Sequence, residues 1–305
     1  MTRPKPAWRP APRHGVPGSC VAMPHGGRWA TVRAFLAERL PVLDEAGWAD
    51  RLLRGEVLGQ SGEVLGVDAR FQPAQLLWYW REPEAEAEIP FEAEVLFQDE
   101  HIVVADKPHF LPMSPVGRYA RWTLLAQLQR QLGLDTLTPI HRLDRETAGV
   151  VVFCIQPATR AAYQDLFRQR SVHKQYEALA DHRPELDWPQ TRRSRIVPSD
   201  QHMLMHEVEG EANAETLIEW LEARDGTARY RLTPLTGRTH QLRVHMNALG
   251  LPLRGDSLYP VMQPAPAVGA APDYSQPLQL LARCIRFQDP ISGLERCFES
   301  RRQLD

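Results

Sequence analysis

The segment AETLIEWLEARDGTARYRLTPL, residues 214–235, constrains the fold more than any other part of the sequence. Two runs of alternating apolar and polar residues flank Asp225-Gly226, and this dipeptide favours the two-residue turn of a β-hairpin. Alternation with period two suits a strand that buries one face, so the segment predicts two adjacent antiparallel strands. A lone hairpin is marginal in water, and the chain therefore needs further strands to form a sheet.

Further strand and helix patterns follow Phe91. AEVLFQDEHIVVADKP predicts two short strands, and the segments Val150–Ile155, HKQYEALA and LQLLARCIRF each predict one more. TLLAQLQRQLG predicts an amphipathic helix capped by Thr123 and ended by Gly133, and PATRAAYQDLFRQR predicts another. Adjacent strands with interspersed helices indicate an α+β fold: a mixed, mainly antiparallel sheet with flanking helices and a central cleft.

The N-terminal part of the chain differs in pattern from the rest. We expect a flexible basic arm over 1–28, a small α/β module over 29–80, an acidic linker over 81–90 and one large domain over 91–305. The order helix, helix, hairpin resembles the start of the S4-type RNA-binding fold. The resemblance is degenerate, because only Arg39, Arg51 and Arg54 fill its expected basic positions.

Composition limits the class of protein. The 305 residues are 43% hydrophobic and 24% charged, as in ordinary globular proteins, and the formal net charge is −2. No apolar run approaches the ~20 residues of a membrane helix, and the N-terminus lacks the apolar region of a secretory signal. The four cysteines are far apart without metal-ligand spacing. We therefore expect a cytoplasmic protein with no metal site and no membrane contact, and nothing in the sequence demands more than a monomer.

GRTHQLRVHMNALG, residues 237–250, predicts a helix that presents polar groups beside an apolar stripe. At about 100° per residue, Arg238, Gln241 and His245 fall within one narrow arc of such a helix. The N-terminal end of a helix favours negative charge. This surface is therefore expected to hold an anion, and Arg243 on the same helix is a candidate contact for a phosphate or for a neighbouring acidic side chain.

PIHRLDRETAGVVVF, residues 139–153, places Asp144 between Arg142 and Arg145, just before an apolar strand. An arginine close to a carboxylate favours its charged form, which suits a nucleophile or base better than a general acid. A surface salt bridge or a cap in a turn explains the same spacing. The residues alone leave both interpretations open.

Four blocks in order resemble the motifs of the RluA-type pseudouridine synthases: VLFQDEHIVVADKPHFLPMSP, HRLDRETAG, VHKQYEALA and TGRTHQLRVHMNALGLPLRGDSLY. The similarity runs from about Val95 to Pro290. It implies a cofactor-free isomerisation of uridine in structured RNA, either ribosomal or transfer RNA. By matching position, it implies that Asp144 is the essential aspartate, that Arg142 helps to extrude the uridine and that Tyr176 stacks on the uracil. It also implies that Arg238 pairs with the aspartate.

The chain departs from that family at three positions and leaves alternatives open. Ala148 stands where the motif has serine, and Leu281 and Asp289 stand where the last block usually has histidines. Tyr176 is also compatible with a core strand residue, and His245 with a satisfied helix histidine. A catalytically silent RNA-binding protein and a glycoside hydrolase are the other candidate functions. The hydrolase would need a second carboxylate, for which Glu146 is the first candidate.

Overall fold

A computed structural model describes residues 8–13, 16–81, 86–116, 119–201, 203–264 and 272–305. The chain divides into two compact units. The first comprises Met1–Glu86 with Pro115–Arg121, and the second comprises Ala87–Ser114 with Trp122–Asp305. The division falls within the expected acidic linker, of which residues 82–85 lie outside the described part of the chain.

The first unit packs two helices with a small antiparallel sheet. Its elements are β1 (Ser19–Ala22), α1 (Val32–Arg39), α2 (Glu45–Leu53), β2 (Val57–Leu58) and β3 (Leu76–Tyr79), with strand order β1-β3-β2. Both helices have a side-chain N-cap, because Thr31 accepts from the amide of Ala34 and Asp44 from that of Gly47. Trp48 is fully buried in the core between the helices and the sheet.

Two N-terminal expectations need correction. The expected flexible arm, 1–28, contains strand β1, whose Cys20 lies opposite Trp78 of β3, while residues 1–7 and 14–15 lie outside the described residues. The expected hairpin around Gly62 is reduced to a single bridge between Leu58 and Val64, and β2 pairs with β3 instead. Strand β2 thus pairs with a strand that is distant in sequence, and the expected local hairpin does not extend. The reason is that β3 offers buried apolar side chains for β2 to pack beside.

The second unit is strand-rich. Its helices are α3 (Leu124–Leu132), α4 (Arg160–Arg168) and α5 (Gln241–Ala248). Its strands are β4 (Glu94–Gln98), β5 (Ile102–Lys107), β6 (Thr138–Pro139), β7 (Ala148–Cys154), β8 (His173–Asp181), β9 (Gln190–Pro198), β10 (Met205–Val208), β11 (Ala214–Arg224), β12 (Thr227–Pro234), β13 (Leu280–Gln288) and β14 (Glu295–Glu299).

These eleven strands form one mixed sheet with the order β10-β9-β11-β12-β8-β13-β7-β5-β4, in which β14 also pairs with β13 and β6 with β7. The β11–β12 hairpin turns at Asp225-Gly226, where both residues have positive φ, as predicted. All pairings are antiparallel except that of β13 with β7. The expected α+β fold with a mainly antiparallel sheet is therefore confirmed.

The parallel contact between β13 and β7 requires a glycine. At Gly149, φ is +111°, and an added Cβ would lie 2.3 Å from the carbonyl oxygen of Ala282. Only glycine permits this backbone approach without displacement. The contact fixes the start of β7 directly after the segment that contains Asp144. Among the described helices, none is long and apolar enough to cross a membrane.

Candidate active site

A cavity of about 1020 Å³ opens in the second unit. Its wall is formed by the segment that leads into β7, the end of α4 with the start of β8, and the loop from β12 into α5. Its charged and polar lining residues include Arg142, Asp144, Arg168, Arg170, His173, Lys174, Tyr176, Arg238, His240 and Arg243. The sheet and its single parallel contact thus bring together segments about 100 residues apart in sequence.

Among the described residues that line this cavity, Asp144 contributes the only carboxylate. Its side chain is 30% exposed, so it is accessible without being immersed in solvent. Arg243 Nη1 lies 3.7 Å from Asp144 Oδ2, and His240 Nε2 lies 3.9 Å from Asp144 Oδ1. A single carboxylate beside a buried guanidinium in an open cavity is placed to act as a nucleophile or base.

The segment around Asp144 is anchored by two buried side chains. Lys107 Nζ donates to the carbonyl oxygens of Pro108, Leu111 and Arg145, each at 2.9 Å. Burial lowers the pKa of Lys107 well below its usual value, and the charge of Asp144 opposes this. His141 Nε2 accepts from the amide of Val152 in β7, and burial lowers the pKa of His141 to about 3. These bonds hold the backbone on both sides of Asp144.

Arg243 is the cation that faces Asp144, and its side chain is only 1% exposed. Its Nε donates to Asp256 Oδ2 at 2.9 Å, and its Nη2 donates to Glu146 Oε2 at 3.1 Å. Although burial lowers the pKa of Arg243, the hydrogen bonds and charge of Asp256 raise it above its usual value. Three carboxylates thus surround one guanidinium, which fixes its position beneath the cavity.

The expected pairing of Arg238 with Asp144 is wrong. Arg238 lies before α5, which begins at Gln241 after His240 adopts a left-handed conformation. Arg238 lines the cavity, but its Nε donates to the carbonyl oxygen of Asn213 at 3.0 Å. The helical arc that grouped Arg238 with Gln241 and His245 assumed a helix that starts several residues earlier.

Gln241 and His245 occupy structural positions. Gln241 is buried, its Nε2 donates to Glu215 O and Thr216 Oγ1, and its Oε1 accepts from the Arg238 amide. His245 is fully buried outside the cavity lining, within hydrogen-bond distance of Ser194 Oγ and Thr216 Oγ1. The expectation that His245 faces the substrate is therefore wrong, because α5 turns that side chain towards β9 and β11.

The arginines that flank Asp144 have separate surroundings. Arg142 is exposed and lines the cavity, whereas Arg145 Nη2 lies 3.3 Å from Glu146 Oε1. Nη1 of Arg243, 99 residues further along the chain, lies 3.7 Å from Asp144 Oδ2, so a cation beside this carboxylate also comes from a distant segment. Arg243 was already a candidate contact for an acidic side chain, but spacing along the sequence drew attention to Arg142 and Arg145 as the arginines near Asp144.

Tyr176 of β8 lines the cavity and packs against the apolar cluster beneath the sheet. Burial raises the pKa of its hydroxyl, and the charge of Asp144 raises it further. The phenol therefore stays neutral at physiological pH. An aromatic face next to a single ionised carboxylate provides a surface on which a flat heterocycle can stack.

Leu281 and Asp289 replace the histidines of the usual motif without lining the cavity. Leu281 is fully buried in β13 opposite Ala148. Asp289 accepts from Tyr163 Oη and from the amides of Ile291 and Ser292. Both positions therefore support packing and a turn next to the sheet.

The sequence pattern assigned no role to His240 or Asp256. His240 and Asp256 lie within the quoted motif TGRTHQLRVHMNALGLPLRGDSLY, so the signal was present but carried no separate assignment. Lys174 Nζ, whose pKa is lowered by burial, lies 3.5 Å from the carbonyl oxygen of Thr236 and adds a cation to the cavity wall.

One group of possible metal ligands occurs within the described residue ranges. Cys284, Cys297 and Glu299 place their ligand atoms within 4.8 Å of one another. They lie on β13 and β14, and none of them lines the cavity that contains Asp144.

Comparisons with known proteins identify the family. A family model described as RNA pseudouridylate synthase matches residues 101–248, which contain Asp144, Tyr176 and Arg243. The dual-specificity RNA pseudouridine synthase RluA of Salmonella typhi is 34% identical over 219 residues, which cover 67% of this chain and 91% of that protein. The chain therefore belongs to the RNA pseudouridylate synthase family and is an RNA pseudouridine synthase of the RluA type.

Other relatives agree with this assignment. An uncharacterized RNA pseudouridine synthase of Synechocystis sp. is 29% identical over 236 residues, covering 74% of this chain and 78% of that protein. The solved human RNA Pseudouridylate Synthase Domain Containing 4 is 28% identical with a TM-score of 0.52, covering 69% of this chain and 88% of that chain. The solved human RNA Pseudouridylate Synthase Domain Containing 1 is 23% identical with a TM-score of 0.55, covering 71% of this chain and 86% of that chain, and it shares the fold.

Proposed function

We propose that this enzyme isomerises specific uridines to pseudouridine in structured RNA, either ribosomal RNA, transfer RNA or both, with Asp144 as the essential group. The observation that carries the proposal is that Asp144 is the single carboxylate of a cavity whose other charged lining residues are cationic. We further propose that the enzyme acts as a cytoplasmic monomer without a metal or cofactor. The dual-specificity name of the Salmonella typhi relative supports testing both classes of RNA.

Asp144 would act while ionised. Arg243, held by Asp256 and Glu146, stabilises negative charge at 3.7 Å. The carboxylate can then attack the target nucleoside or remove a proton from its sugar, and both routes release the base from C1′ for rejoining through C5. The cavity is large enough for such a nucleoside, since its volume is about 1020 Å³.

Access to a stacked uridine requires its extrusion, which costs a few kcal/mol. We propose that Tyr176 offsets part of this cost by stacking on the uracil, which is worth about 1–3 kcal/mol per base. The exposed side chain of Arg142 is placed to fill the space that the extruded base leaves. Arg170 and Arg238 provide further positive charge for the RNA backbone.

The alternative functions are less well supported. Glu146, which a glycoside hydrolase would need as its second carboxylate, is buried and bonded to Arg243 and Ser257. A catalytically silent RNA-binding protein would not need a carboxylate held against a buried guanidinium in the cavity. We also propose that the first unit is a degenerate S4-like module, centred on 29–80, that contributes little to RNA affinity.

The test is to map pseudouridines in total RNA from cells with and without the protein, and then to assay the mapped RNA with purified variants. We expect Asp144→Asn to lower the rate at least about 1000-fold, because nucleophile or base function is lost. RNA affinity should stay within about threefold, since stacking and phosphate contacts remain. Asp135→Asn, a change of an exposed aspartate outside the cavity, is the matched control and should retain full activity.

Each part of the proposal can fail separately. No protein-dependent pseudouridine in any RNA would contradict the function. Full activity of Asp144→Asn alongside an active wild type would contradict the role of Asp144 alone.

A further inference from the structure

His240 occupies a position beside Asp144 that the family-based assignment of roles leaves unused. Its Nε2 lies 3.9 Å from Asp144 Oδ1, its side chain is 10% exposed, and it lines the cavity. His240 is the N-cap residue of α5, yet its side chain makes no capping hydrogen bond. The imidazole is therefore directed into the site and does not stabilise the helix end.

The hydrogen bonds of Tyr259 fix the tautomer of His240. Tyr259 Oη donates to the carbonyl oxygen of Met205 at 3.1 Å and accepts from the amide of Met205 at 2.9 Å. His240 Nδ1 lies 3.1 Å from the same oxygen. A phenol has one hydrogen, and Met205 takes it, so Nδ1 of His240 must be the donor. In the neutral ring, Nε2 then carries the lone pair on the side of Asp144.

The backbone of His240 supports a functional origin for this placement. Its φ is +53° and its ψ is 16°, which is left-handed helical geometry at a residue with a side chain. Such geometry is unfavourable for a residue with a side chain, and it occurs preferentially at active sites and ligand clamps. Here it ends the loop from β12 and turns the imidazole towards Asp144.

The surroundings favour the neutral imidazole. Burial lowers the pKa of His240, the nearby guanidinium of Arg243 lowers it as well, and the charges of Asp144, Asp256 and Glu146 oppose the shift. A neutral Nε2 with a lone pair is able to accept a proton from a bound substrate.

Isomerisation of uridine needs such an acceptor. The C1′–N1 bond breaks and the C1′–C5 bond forms, which leaves C5 with both its hydrogen and the sugar. The C5–H bond must then break: its electron pair forms the C5–C6 double bond, the C6–N1 π pair moves to N1, and N1 takes up a proton. No oxidant or reductant is required. Asp144 is engaged with the nucleoside during the earlier bond changes, so a second base is useful for this step.

We propose that His240 is a further catalytic residue, whose Nε2 removes the C5 proton of the rearranged base and releases it to N1 or to solvent. This inference rests on the proposed isomerisation of uridine in the cavity of Asp144. The arrangement assigns the sugar chemistry to the carboxylate and the base chemistry to the imidazole, two neighbouring groups on the cavity wall whose nearest atoms lie 3.9 Å apart.

The decisive variant is His240→Asn. Asparagine tolerates left-handed backbone geometry, and its amide can keep the donor to Tyr259 while Nε2 is lost. The substrate is the mapped RNA with either hydrogen or deuterium at C5 of uridine. We expect kcat to fall about 100-fold, KM to stay within about threefold, and a primary deuterium isotope effect on kcat to exceed that of the wild type. Removal of the C5 proton becomes rate-limiting only if His240 serves that step.

His182→Gln provides the matched histidine control, since His182 stacks near Trp220 outside the cavity lining and the change should leave kcat and the isotope effect unaltered. A His240→Asn enzyme with wild-type kcat, or one that is slow without an increased isotope effect, would overturn the assignment of His240. An active wild type in the same assay keeps that failure distinct from failure of the proposed function, which would appear as no pseudouridine at all.

Discussion

The two units of the chain use arginine in different ways. In the first unit, Arg28 pairs with Glu38 at 2.8 Å, and Arg54 pairs with Asp50 at 2.9 Å. Arg51, which fills one of the basic positions of the S4 resemblance, is buried and donates to the carbonyl oxygen of Trp80. In the second unit, the described lining of the cavity has one carboxylate, Asp144, and six arginine and lysine residues. Two of the six also pair with carboxylates outside the lining, Arg168 with Asp165 and Arg243 with Asp256. The six are Arg142, Arg168, Arg170, Lys174, Arg238 and Arg243.

This difference shows why the count of basic residues does not locate an RNA site. A surface arginine next to a carboxylate attracts a phosphate only weakly, because the carboxylate cancels most of its electric field. An excess of cations around a concave surface adds its fields together. The net charge of −2 therefore conceals a strongly uneven distribution.

The largest effect is expected at Arg243. Arg243→Met leaves Asp256 and Glu146 buried without their cation, and breaking such a pair costs about 3–5 kcal/mol. We expect a clear drop in the urea midpoint and loss of pseudouridine formation, measured on the same preparation. Arg54→Met, which removes a side chain that is 49% exposed, should change the free energy of unfolding by less than about 1 kcal/mol. Equal destabilisation by both variants would contradict the distinction between the buried Arg243 and the surface arginine Arg54.

The next effect concerns the aromatic wall of the cavity. Tyr176→Ala should weaken RNA binding about tenfold, and Tyr176→Phe should keep affinity within about twofold, because stacking depends on the ring. Binding is measured in the Asp144→Asn background so that turnover does not interfere. Similar affinities of the alanine and phenylalanine variants would show that Tyr176 does not stack on the base.

Acid should weaken the second unit before the first. Burial lowers the pKa of His141 to about 3 and that of His245 to about 4, so both stay neutral in the fold. Below the unfolded value of about 6.5, the unfolded chain binds protons that the folded chain refuses. Stability should therefore fall between pH 6.5 and 4, by up to about 1.4 kcal/mol per pH unit for each histidine.

Hydrogen exchange as a function of pH measures this effect. We expect amides of β7 and α5 to lose protection between pH 6.5 and 4, whereas those of α1 and α2 should change less, since the described histidine of that unit, His25, is exposed. His245→Gln keeps polar contacts without titrating, so it should flatten the pH dependence around α5. An unchanged profile in that variant would contradict the assigned cause.

The smallest effect is expected in the first unit. Arg33→Ala and Arg39→Ala should change RNA affinity less than about twofold, because surface arginines of this kind contribute little. Arg142→Ala and Arg170→Ala should each weaken RNA binding. Each should also reduce the slope of log binding constant against log salt concentration by about one, as expected for a lost phosphate contact. A large effect of Arg39→Ala would show that the first unit binds RNA.

Local signals were sufficient for much of the fold. Asp225-Gly226 fixed the β11–β12 hairpin, and Thr123 and Gly133 fixed both ends of α3. Each depends on backbone geometry within a few residues, so the sequence carries it directly. Strand β1 was missed because its partner, β3, lies more than 50 residues away and no local pattern specifies that pairing.

The site shows the same division. Asp144 and Tyr176 were assigned by their motifs, and both line the cavity. The resemblance implied Arg238 as the partner of Asp144, whereas Arg243 of the same motif lies opposite that carboxylate. Helix α5 begins at Gln241, so Arg243 lies on the helix and is buried, whereas Arg238 lies in the loop before it and is exposed.

The sequence by itself determined the element types, the family motifs and the identity of the candidate carboxylate, because these depend on residue spacing and turn chemistry. Only the tertiary structure decided that Arg243 lies opposite Asp144, that His245 is buried elsewhere, and that His240 faces the site. The physical reason is that these contacts join α5 to a segment about 100 residues earlier. Packing of the sheet and the left-handed turn at His240 set their distances.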